Sequence, residues 1–206
     1  NADKFKKGGV VVDTCGVKRA IVYDCEEVLN KNGVQFIGGH PMAGREFSGF
    51  EYSVDNLFER ASFIITETSK TPTQLVATVG NLAYEIGFRK VVVSTPEEHD
   101  RVVAFTSQLA HIVSNAYVKS PSLTKHSEFS AGSFKDLTRV AKLNEEMWTS
   151  LFMLNKEPLI EEISHIISSL DEYKKALEDN DRDMLKQLLK NGRELKELSN
   201  NFMMNK

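Results

Sequence analysis

Four short β-rich runs lie within the first 95 residues, and no comparable run follows Pro96. The runs read GVVVDT (9–14), VQFIGG (34–39), SFIITE (62–67) and KVVVST (90–95). Each has the length and the content of β-branched residues that are typical of a buried strand. Between the last two runs, residues 71–88 begin with Thr-Pro, place apolar side chains at helical spacing and carry Gly87 as a stop signal. Because strands alternate with a helix, this part of the chain is predicted to form a parallel, doubly wound α/β sheet.

Helical patterns replace the strands after Pro96. Residues 96–119 open with acidic side chains and carry apolar ones around most of the circumference, as a helix does when it is buried on several sides. Two apolar stripes follow, and the polar turn 178–181 between them predicts an antiparallel helical pair. The stripes consist of Ile163, Ile166, Ile167, Leu170, Tyr173 and Leu177, and of Leu185, Leu188, Leu189, Leu195 and Leu198. They are predicted to be core or dimer surface.

This change of pattern predicts two domains. Residues 1–95 would be the C-terminal part of a Rossmann-like nucleotide-binding domain, with an incomplete sheet because the strands are too few and no GxGxxG occurs in the chain. Residues 96–206 would be an all-α domain. The long helix has more apolar surface than one small helical domain covers, so we expect these helices to form a homodimer.

Composition and charge exclude several classes of protein. The net charge of −3 and the pI near 6.0 provide no basic face for nucleic acid or anionic lipid, and no apolar run approaches the roughly 20 residues of a membrane span. Cys15 and Cys25 form no CxxC pair and the histidines do not cluster, so neither a disulfide framework nor a metal site is predicted. With no signal peptide before the first run, we expect a cytoplasmic protein.

A histidine follows the second β-rich run, in the motif GGHPMAG (38–44). This position is the carboxyl end of a predicted strand, where open α/β sheets bind ligands. The two glycines are predicted to let the backbone turn tightly and approach a ligand, and Pro41 to stiffen the exit. From the residues alone, His40 is therefore a candidate site residue, with a histidine that merely caps a turn as the alternative.

Five motifs together resemble those of the prephenate dehydrogenase family. In order they are VVDTCGVK (11–18), GGHPMAG (38–44), TSQLAH (106–111), GSFKDLTRVAK (132–142) and MW (147–148), and they cover about residues 10 to 155. The pairing of GGHPMAG with FKDLTR about a hundred residues later is specific, whereas each motif alone is weak. The resemblance implies that prephenate is oxidatively decarboxylated to 4-hydroxyphenylpyruvate with NAD or NADP, in tyrosine biosynthesis. It also implies a GxGxxG upstream of Asn1, so we expect this chain alone to be inactive and to bind NAD weakly.

The resemblance assigns roles to the polar residues of these motifs. His40 would be the base that accepts a hydrogen bond from the substrate hydroxyl, since an imidazole with a pKa of about 6.5 is largely neutral at cytoplasmic pH. Arg139 would hold a substrate carboxylate with its planar fork, although on sequence alone it would be a solvated charge. The other implied substrate-binding residues are Ser107, His111, Gly132, Trp148, and the acidic pair Glu46 and Asp136 near the pocket entrance. From the residues alone, His111 and Trp148 would be ordinary core residues.

The loop after the first β-rich run departs from the family pattern. Thr14, Cys15 and Gly16 are the implied cofactor contacts, and many members carry an active-site serine where this chain has Gly16. We expect Thr14, Cys15 or a water molecule to replace that hydroxyl. The three other histidines have no counterpart in the motifs and are predicted to be structural or solvent-facing: His99, His126 and His165.

Two other functions remain open at this point. Arogenate dehydrogenase uses the same chemistry on a substrate that differs in one side chain. A catalytically silent module that dimerises or senses tyrosine is the alternative outside enzymes, and it is favoured by the missing hydroxyl at Gly16 and the missing GxGxxG. We expect no regulatory domain beyond the last helix, so any inhibition by tyrosine would act at the substrate pocket.

Overall fold

The structure is a computed structural model that describes residues 1–44, 49–125 and 128–204. The chain divides into two compact units, Asn1–Leu159 and Ile160–Lys206. The first unit contains a four-stranded sheet and most of the helices. The second consists of most of one long helix and the whole of another.

The sheet of the first unit is mixed. Its strands are β1 (Val10–Val12), β2 (Gln35–Pro41), β3 (Ser62–Thr66) and β4 (Lys90–Ser94), in the order β1-β2-β3-β4. β1 pairs with β2 and β3 with β4 in parallel, whereas β2 and β3 are antiparallel. The predicted all-parallel sheet is therefore wrong at one pair. The parallel pairs have helical crossovers, but the described residues between β2 and β3 form only a short 3₁₀ turn, at Phe50–Tyr52, so β3 returns alongside β2.

Two helices cover the two faces of this sheet. They are α1 (Arg19–Lys31), between β1 and β2, and α2 (Thr73–Glu85), between β3 and β4. Phe36 packs in the core that contains Val22 and Leu29 of α1, and Ile37 in the core that lies against α2. Successive residues of a strand point to opposite faces, so these neighbours enter different cores. Gly87 has a φ of +100° just past α2, which confirms it as the predicted stop.

The predicted long helix after β4 is present and contains a π-helical segment. It runs through α3 (Pro96–Val103), the π segment (Ala104–Leu109) and α4 (Ala110–Tyr117). Thr95 caps its start, because its Oγ1 accepts a hydrogen bond from Glu98 N at 3.2 Å. Two shorter helices complete the first unit, α5 (Gly132–Thr138) and α6 (Glu145–Leu154).

The two long helices at the end of the chain are α7 (Lys156–Glu178) and α8 (Arg182–Met204). A short turn joins them, with Asn180 at a φ of +52°. The Tyr173 hydroxyl lies 3.9 Å from where a β-carbon on Gly192 would be, so the two helices pack together as the predicted pair. Many of their apolar side chains are nevertheless half or more exposed, for example Ile167, Leu170 and Leu177 at 60–62%.

Candidate active site

His40 lies within β2 rather than after it. Gly38 and Gly39 precede it in the same extended strand, and neither has a positive φ. A β-carbon on Gly38 would lie 2.1 Å from Thr66 Oγ1, and one on Gly39 would lie 2.7 Å from the carbonyl oxygen of Asp13. The glycines therefore do not make the predicted tight turn. They let β2 pack closely against its neighbours, which places His40 beside the loop that joins β1 to α1.

The His40 ring is the first of three polar side chains that are hydrogen-bonded in series. His40 Nδ1 lies 2.8 Å from His99 Nε2, and His99 Nδ1 lies 2.7 Å from Asp100 Oδ1. The side chains of His99 and Asp100 are fully buried. His99 is thus not solvent-facing, and its contact with His40 spans 59 residues of sequence. Sequence analysis misses this pairing, because a histidine in the first turn of a helix carries no signal of what it touches.

The Asp100 carboxylate also holds the start of α1. It accepts hydrogen bonds from Lys18 N at 2.8 Å and from Arg19 N at 2.9 Å. Its own backbone oxygen accepts a hydrogen bond from Asn155 Nδ2 at 2.9 Å. Two backbone N–H groups at the start of α1 are therefore satisfied by a residue of α3, about eighty positions further along the chain.

The surroundings of His40 favour the neutral ring. Burial lowers its pKa to about 4, with smaller effects in the same direction from His99 and Lys18 and opposing effects from Asp13 and Asp100. The side chain of Lys18 is fully buried, where it pairs with the Asp13 carboxylate and donates to the carbonyl of Gly39. A value near the ordinary histidine pKa, as expected from the sequence, does not hold in this environment. His40 is a neutral hydrogen-bond acceptor at neutral pH.

The second ring nitrogen of His40 faces Gly16. A β-carbon on Gly16 would lie 3.9 Å from His40 Nε2 and 3.6 Å from Leu151 Cδ2. Thr14 and Cys15 are exposed on the same loop. Burial and the Asp13 carboxylate raise the pKa of the Cys15 thiol, so this group is a thiol rather than a thiolate near neutral pH. A reacting group at Nε2 would therefore meet the backbone at Gly16 and no side-chain hydroxyl from that position.

A second group of predicted residues meets on the long helix and α6. His111 Nδ1 donates a hydrogen bond to the carbonyl oxygen of Ser107 at 2.8 Å, which leaves Nε2 available to a ligand. The indole of Trp148 packs on this imidazole, with ring centroids 4.1 Å apart. Trp148 and Leu151 are three residues apart on α6, so one face of this helix contacts His111 and also lies beside Gly16. The structure thereby connects this group with the surroundings of His40.

Among the described residues, the remaining predicted ones form no hydrogen bond or ion pair with these two groups. Gly132 and Asp136 are exposed on α5, and Arg139 is exposed at its C-terminal end. Within residues 1–44, 49–125 and 128–204, no hydrogen bond or ion pair joins Arg139 to another predicted site residue. Asn115 Nδ2 donates to the carbonyl of Ala141 at 3.0 Å, which fastens the segment after Arg139 to α4. Glu46, like His126, lies outside the described residues.

The described part of the chain contains neither a metal-binding cluster nor a membrane-spanning helix. No group of three or more His, Cys, Asp or Glu side chains there has the arrangement of a metal site. No helix within those residues has both the length and the apolarity needed to cross a bilayer.

The sequence matches known proteins along most of its length. Residues 1–105 match the family profile described as prephenate dehydrogenase, nucleotide-binding domain, and residues 95–191 match the one described as prephenate dehydrogenase, dimerization domain. The prephenate dehydrogenase of Bacillus subtilis is 32% identical over 196 residues, which are 91% of this chain and 52% of that protein. The chain spans about half the length of the curated prephenate dehydrogenases it matches.

Solved structures match the fold as well. A prephenate dehydrogenase from Aquifex aeolicus, in complex with hydroxyphenyl propionate and NAD⁺, is 36% identical with a TM-score of 0.79, over 92% of this chain and 66% of that one. The arogenate dehydrogenase of Synechocystis is 26% identical with a TM-score of 0.77, over 92% of this chain and 69% of that one. One profile alone covers half of the residues and the fold agrees with it, so the chain belongs to the prephenate dehydrogenase family.

Proposed function

We propose that the whole protein to which these residues belong is a prephenate dehydrogenase, which converts prephenate with NAD or NADP to 4-hydroxyphenylpyruvate and carbon dioxide. The observation that carries this proposal is His40. Its ring is held neutral by burial, one nitrogen is fixed by His99, and the other faces an open glycine. A neutral ring nitrogen with a free lone pair is what a base needs in order to accept the proton of a ring hydroxyl.

His40 Nε2 would accept the hydroxyl proton while the hydrogen on the same carbon leaves as hydride. NAD or NADP, when bound, accepts that hydride. The electron pair of the bond to the ring carboxylate enters the ring, which becomes aromatic as carbon dioxide departs. His40 then returns the proton to the phenol oxygen, so atoms and electrons balance with no further reactant.

The dianionic substrate requires cations and a shaped cavity. We propose Arg139 for a substrate carboxylate, since a guanidinium holds a carboxylate with two parallel hydrogen bonds and the Arg139 side chain is exposed. His111 and Trp148, which pack together, would line the cavity beside it. The other residues proposed for substrate binding are Ser107, Gly132, Glu46 and Asp136.

For the cofactor, we propose that this chain supplies the nicotinamide side of the site. Thr14, Cys15 and Gly16 fit that role, because they lie on the loop beside His40 and the first two are exposed. The start of α1 does not fit a pyrophosphate, since Lys18 N and Arg19 N already donate to Asp100. The 206 residues also contain no GxGxxG. We therefore propose that they are inactive alone.

Arogenate dehydrogenase is the second candidate, favoured by the similarity to the Synechocystis enzyme. The two substrates differ only in the side chain, keto acid or amino acid. The deciding experiment is an assay of NAD and NADP reduction by the whole protein with prephenate and arogenate side by side. Faster turnover of prephenate supports the proposal, faster turnover of arogenate favours the second candidate, and no reduction with either overturns both in favour of a silent dimerising module.

We further propose a homodimer built by the helices of residues 96–206, with residues 1–95 as the nucleotide-binding part. The support is the match of residues 95–191 to a dimerization domain and the exposed apolar side chains of α7 and α8. We propose a cytoplasmic location, in keeping with the two free cysteines. Inhibition by tyrosine, where it occurs, would act at the substrate pocket.

A further inference from the structure

We propose that His99 and Asp100 fix the tautomer of His40, so that the proton of the neutral ring is on Nδ1 and the lone pair of Nε2 faces the substrate. His99 is then a positioning residue: it acts through His40 and touches neither substrate nor cofactor. The inference rests on the proposed function for its catalytic consequence. The tautomer itself is measurable without any activity.

Asp100 determines which atom donates in each hydrogen bond between Asp100, His99 and His40. Its carboxylate accepts hydrogen bonds from Lys18 N and Arg19 N, and an ionised carboxylate has no proton to donate. His99 Nδ1, 2.7 Å from Oδ1, must therefore be the donor in that contact. In the proposed state His99 is a neutral imidazole, with one N–H and one lone pair, so its Nε2 presents the lone pair to His40.

The same rule then determines the state of His40. Its Nδ1 lies 2.8 Å from the lone pair of His99 Nε2 and must carry the proton, since two lone pairs would otherwise face each other. His40 Nε2 is left with its lone pair, and this is the atom that faces Gly16 at the open side of the ring. Which nitrogen of a histidine acts as base is set by the hydrogen bond that the other nitrogen makes.

Burial keeps water from replacing the hydrogen-bond partners in this arrangement. The side chains of His99 and Asp100 are fully buried, so no bulk water takes the place of either partner. Asp100 is anchored at the start of α1 and, through its backbone oxygen, to Asn155. His99 and Asp100 are successive residues of α3, whereas His40 is on β2. The proton position on His40 is thus set by contacts between three elements of the fold.

The charges around His40 agree with this role. Among the described residues, the titratable and charged groups that act on its ring are His99 and Asp100 from α3, Lys18 from the start of α1 and Asp13 from the loop before it. When Nε2 takes up the substrate proton, Nδ1 keeps its own and continues to donate to His99. The hydrogen bonds from His40 to His99 and from His99 to Asp100 therefore keep their direction throughout the reaction.

The direct test is nitrogen NMR of the whole protein with ¹⁵N-labelled histidine, which distinguishes protonated from unprotonated ring nitrogens. At neutral pH we expect a proton on Nδ1 of His40 and none on Nε2, with the signals assigned by comparison with His40→Asn. In His99→Leu the fixed acceptor is gone and the proton should distribute over both nitrogens. His99→Gln offers its side-chain oxygen as a new acceptor and should restore the single tautomer.

Kinetics provide the second test. His99→Leu should lower kcat by at least about tenfold, with about 10⁴-fold as the ceiling known where a carboxylate fixes the tautomer of a catalytic histidine. The KM for prephenate should change little, and His99→Gln should recover most of the loss. His165→Leu, the same change at an exposed histidine of α7, is the matched control and should leave kcat unchanged.

A proton on Nε2 of His40 in the unmutated protein would overturn the proposal, as would a tautomer unaffected by His99→Leu. A kcat for His99→Leu within about threefold of the unmutated value would do the same, because general-base catalysis contributes about 10²- to 10⁴-fold. If His99→Leu does not fold, the spectra of the unmutated protein and of His99→Gln still decide. Absence of activity towards either substrate would count against the proposed function and leave the NMR result to stand alone.

Discussion

His40 has its two ring nitrogens in different surroundings, one buried against His99 and one facing the open loop at Gly16. This asymmetry separates the task of holding the ring from the task of accepting a proton. It also makes the effects of single substitutions predictable, because a change on one side of the ring leaves the other side in place.

His40→Asn should keep substrate binding and lose turnover. The amide retains hydrogen-bonding capacity but takes up no proton near neutral pH, so kcat should fall by about 10²- to 10⁴-fold with little change in KM. Since the pKa of His40 is lowered to about 4, the unmutated rate should rise with pH through about 4 and then level, as the ring becomes neutral. The measurement is a pH–rate profile of both proteins, and a limb that persists in His40→Asn would assign it to another group.

Gly16→Ser should place a hydroxyl beside the base. A β-carbon there meets only Leu151 Cδ2 at 3.6 Å and His40 Nε2 at 3.9 Å, and Gly16 has no positive φ, so the side chain fits. A hydroxyl that donates to the lone pair of Nε2 stabilises the neutral ring, and the acid limb of the rate should move to lower pH. Gly16→Ala is the matched control and should not move it. An equal shift in both variants would mean that bulk, not the hydroxyl, is responsible.

The motif around His40 was predictable from sequence, but its partner was not. GGHPMAG has a recognisable composition at the end of a strand, and its histidine is only partly buried. His99 lies in an ordinary amphipathic first turn, and its role depends on which strand α3 meets after folding. Arg139 illustrates the converse, since the motif that contains it is recognisable, while among the described residues its exposed side chain forms no hydrogen bond or ion pair with another predicted site residue.

At the level of secondary structure, β2 has no space for a β-carbon at Gly38. A β-carbon on Gly38 would lie 2.1 Å from Thr66 Oγ1 and 2.7 Å from Val22 Cγ2, and both neighbours are buried. Gly38→Ala should therefore destabilise the protein by about 1–3 kcal/mol, as overpacking of a core does. Urea unfolding of the whole protein measures this, with Gly44→Ala as control because a β-carbon there meets open space.

The nearest obstacle to that alanine can itself be removed. Thr66 Oγ1 is buried and has no hydrogen-bond partner among the described residues, so its loss breaks no polar contact. Adding Thr66→Ala to Gly38→Ala should recover part of the lost stability. A single Gly38→Ala protein as stable as Gly44→Ala would show that β2 shifts without cost, and the close-packing interpretation of the glycines would be wrong.

Strands and helices were predictable here because hydrophobic periodicity reports local conformation. The relative direction of paired strands was not predictable, since a run such as SFIITE has the same pattern whether it pairs in parallel or antiparallel. The antiparallel β2–β3 pair follows from the connection between them, whose described residues contain no crossover helix. The π segment at Ala104–Leu109 was likewise hidden, because one widened turn leaves the apolar pattern of a helix almost unchanged.

At the scale of the whole molecule, the apolar side chains of α7 and α8 predict self-association. Leu170 is 60% exposed, and charge on this side chain should prevent contact with a second copy. We expect sedimentation of the unmutated protein to give a dimer and of Leu170→Asp to give a monomer. Ser168→Asp adds the same charge on the opposite face of α7 and should remain dimeric. An unmutated monomer across a concentration series would contradict the prediction.

The bonds from Asp100 to Lys18 and Arg19 join residues 82 and 81 positions apart, and the same carboxylate orients His99. Contacts of such sequence separation form late, because a long loop must close before they are made. We therefore expect β1, α1 and β2 to form before the tautomer of His40 is fixed. During refolding, the appearance of a single His40 tautomer would therefore report that α3 has packed against β2 and the start of α1.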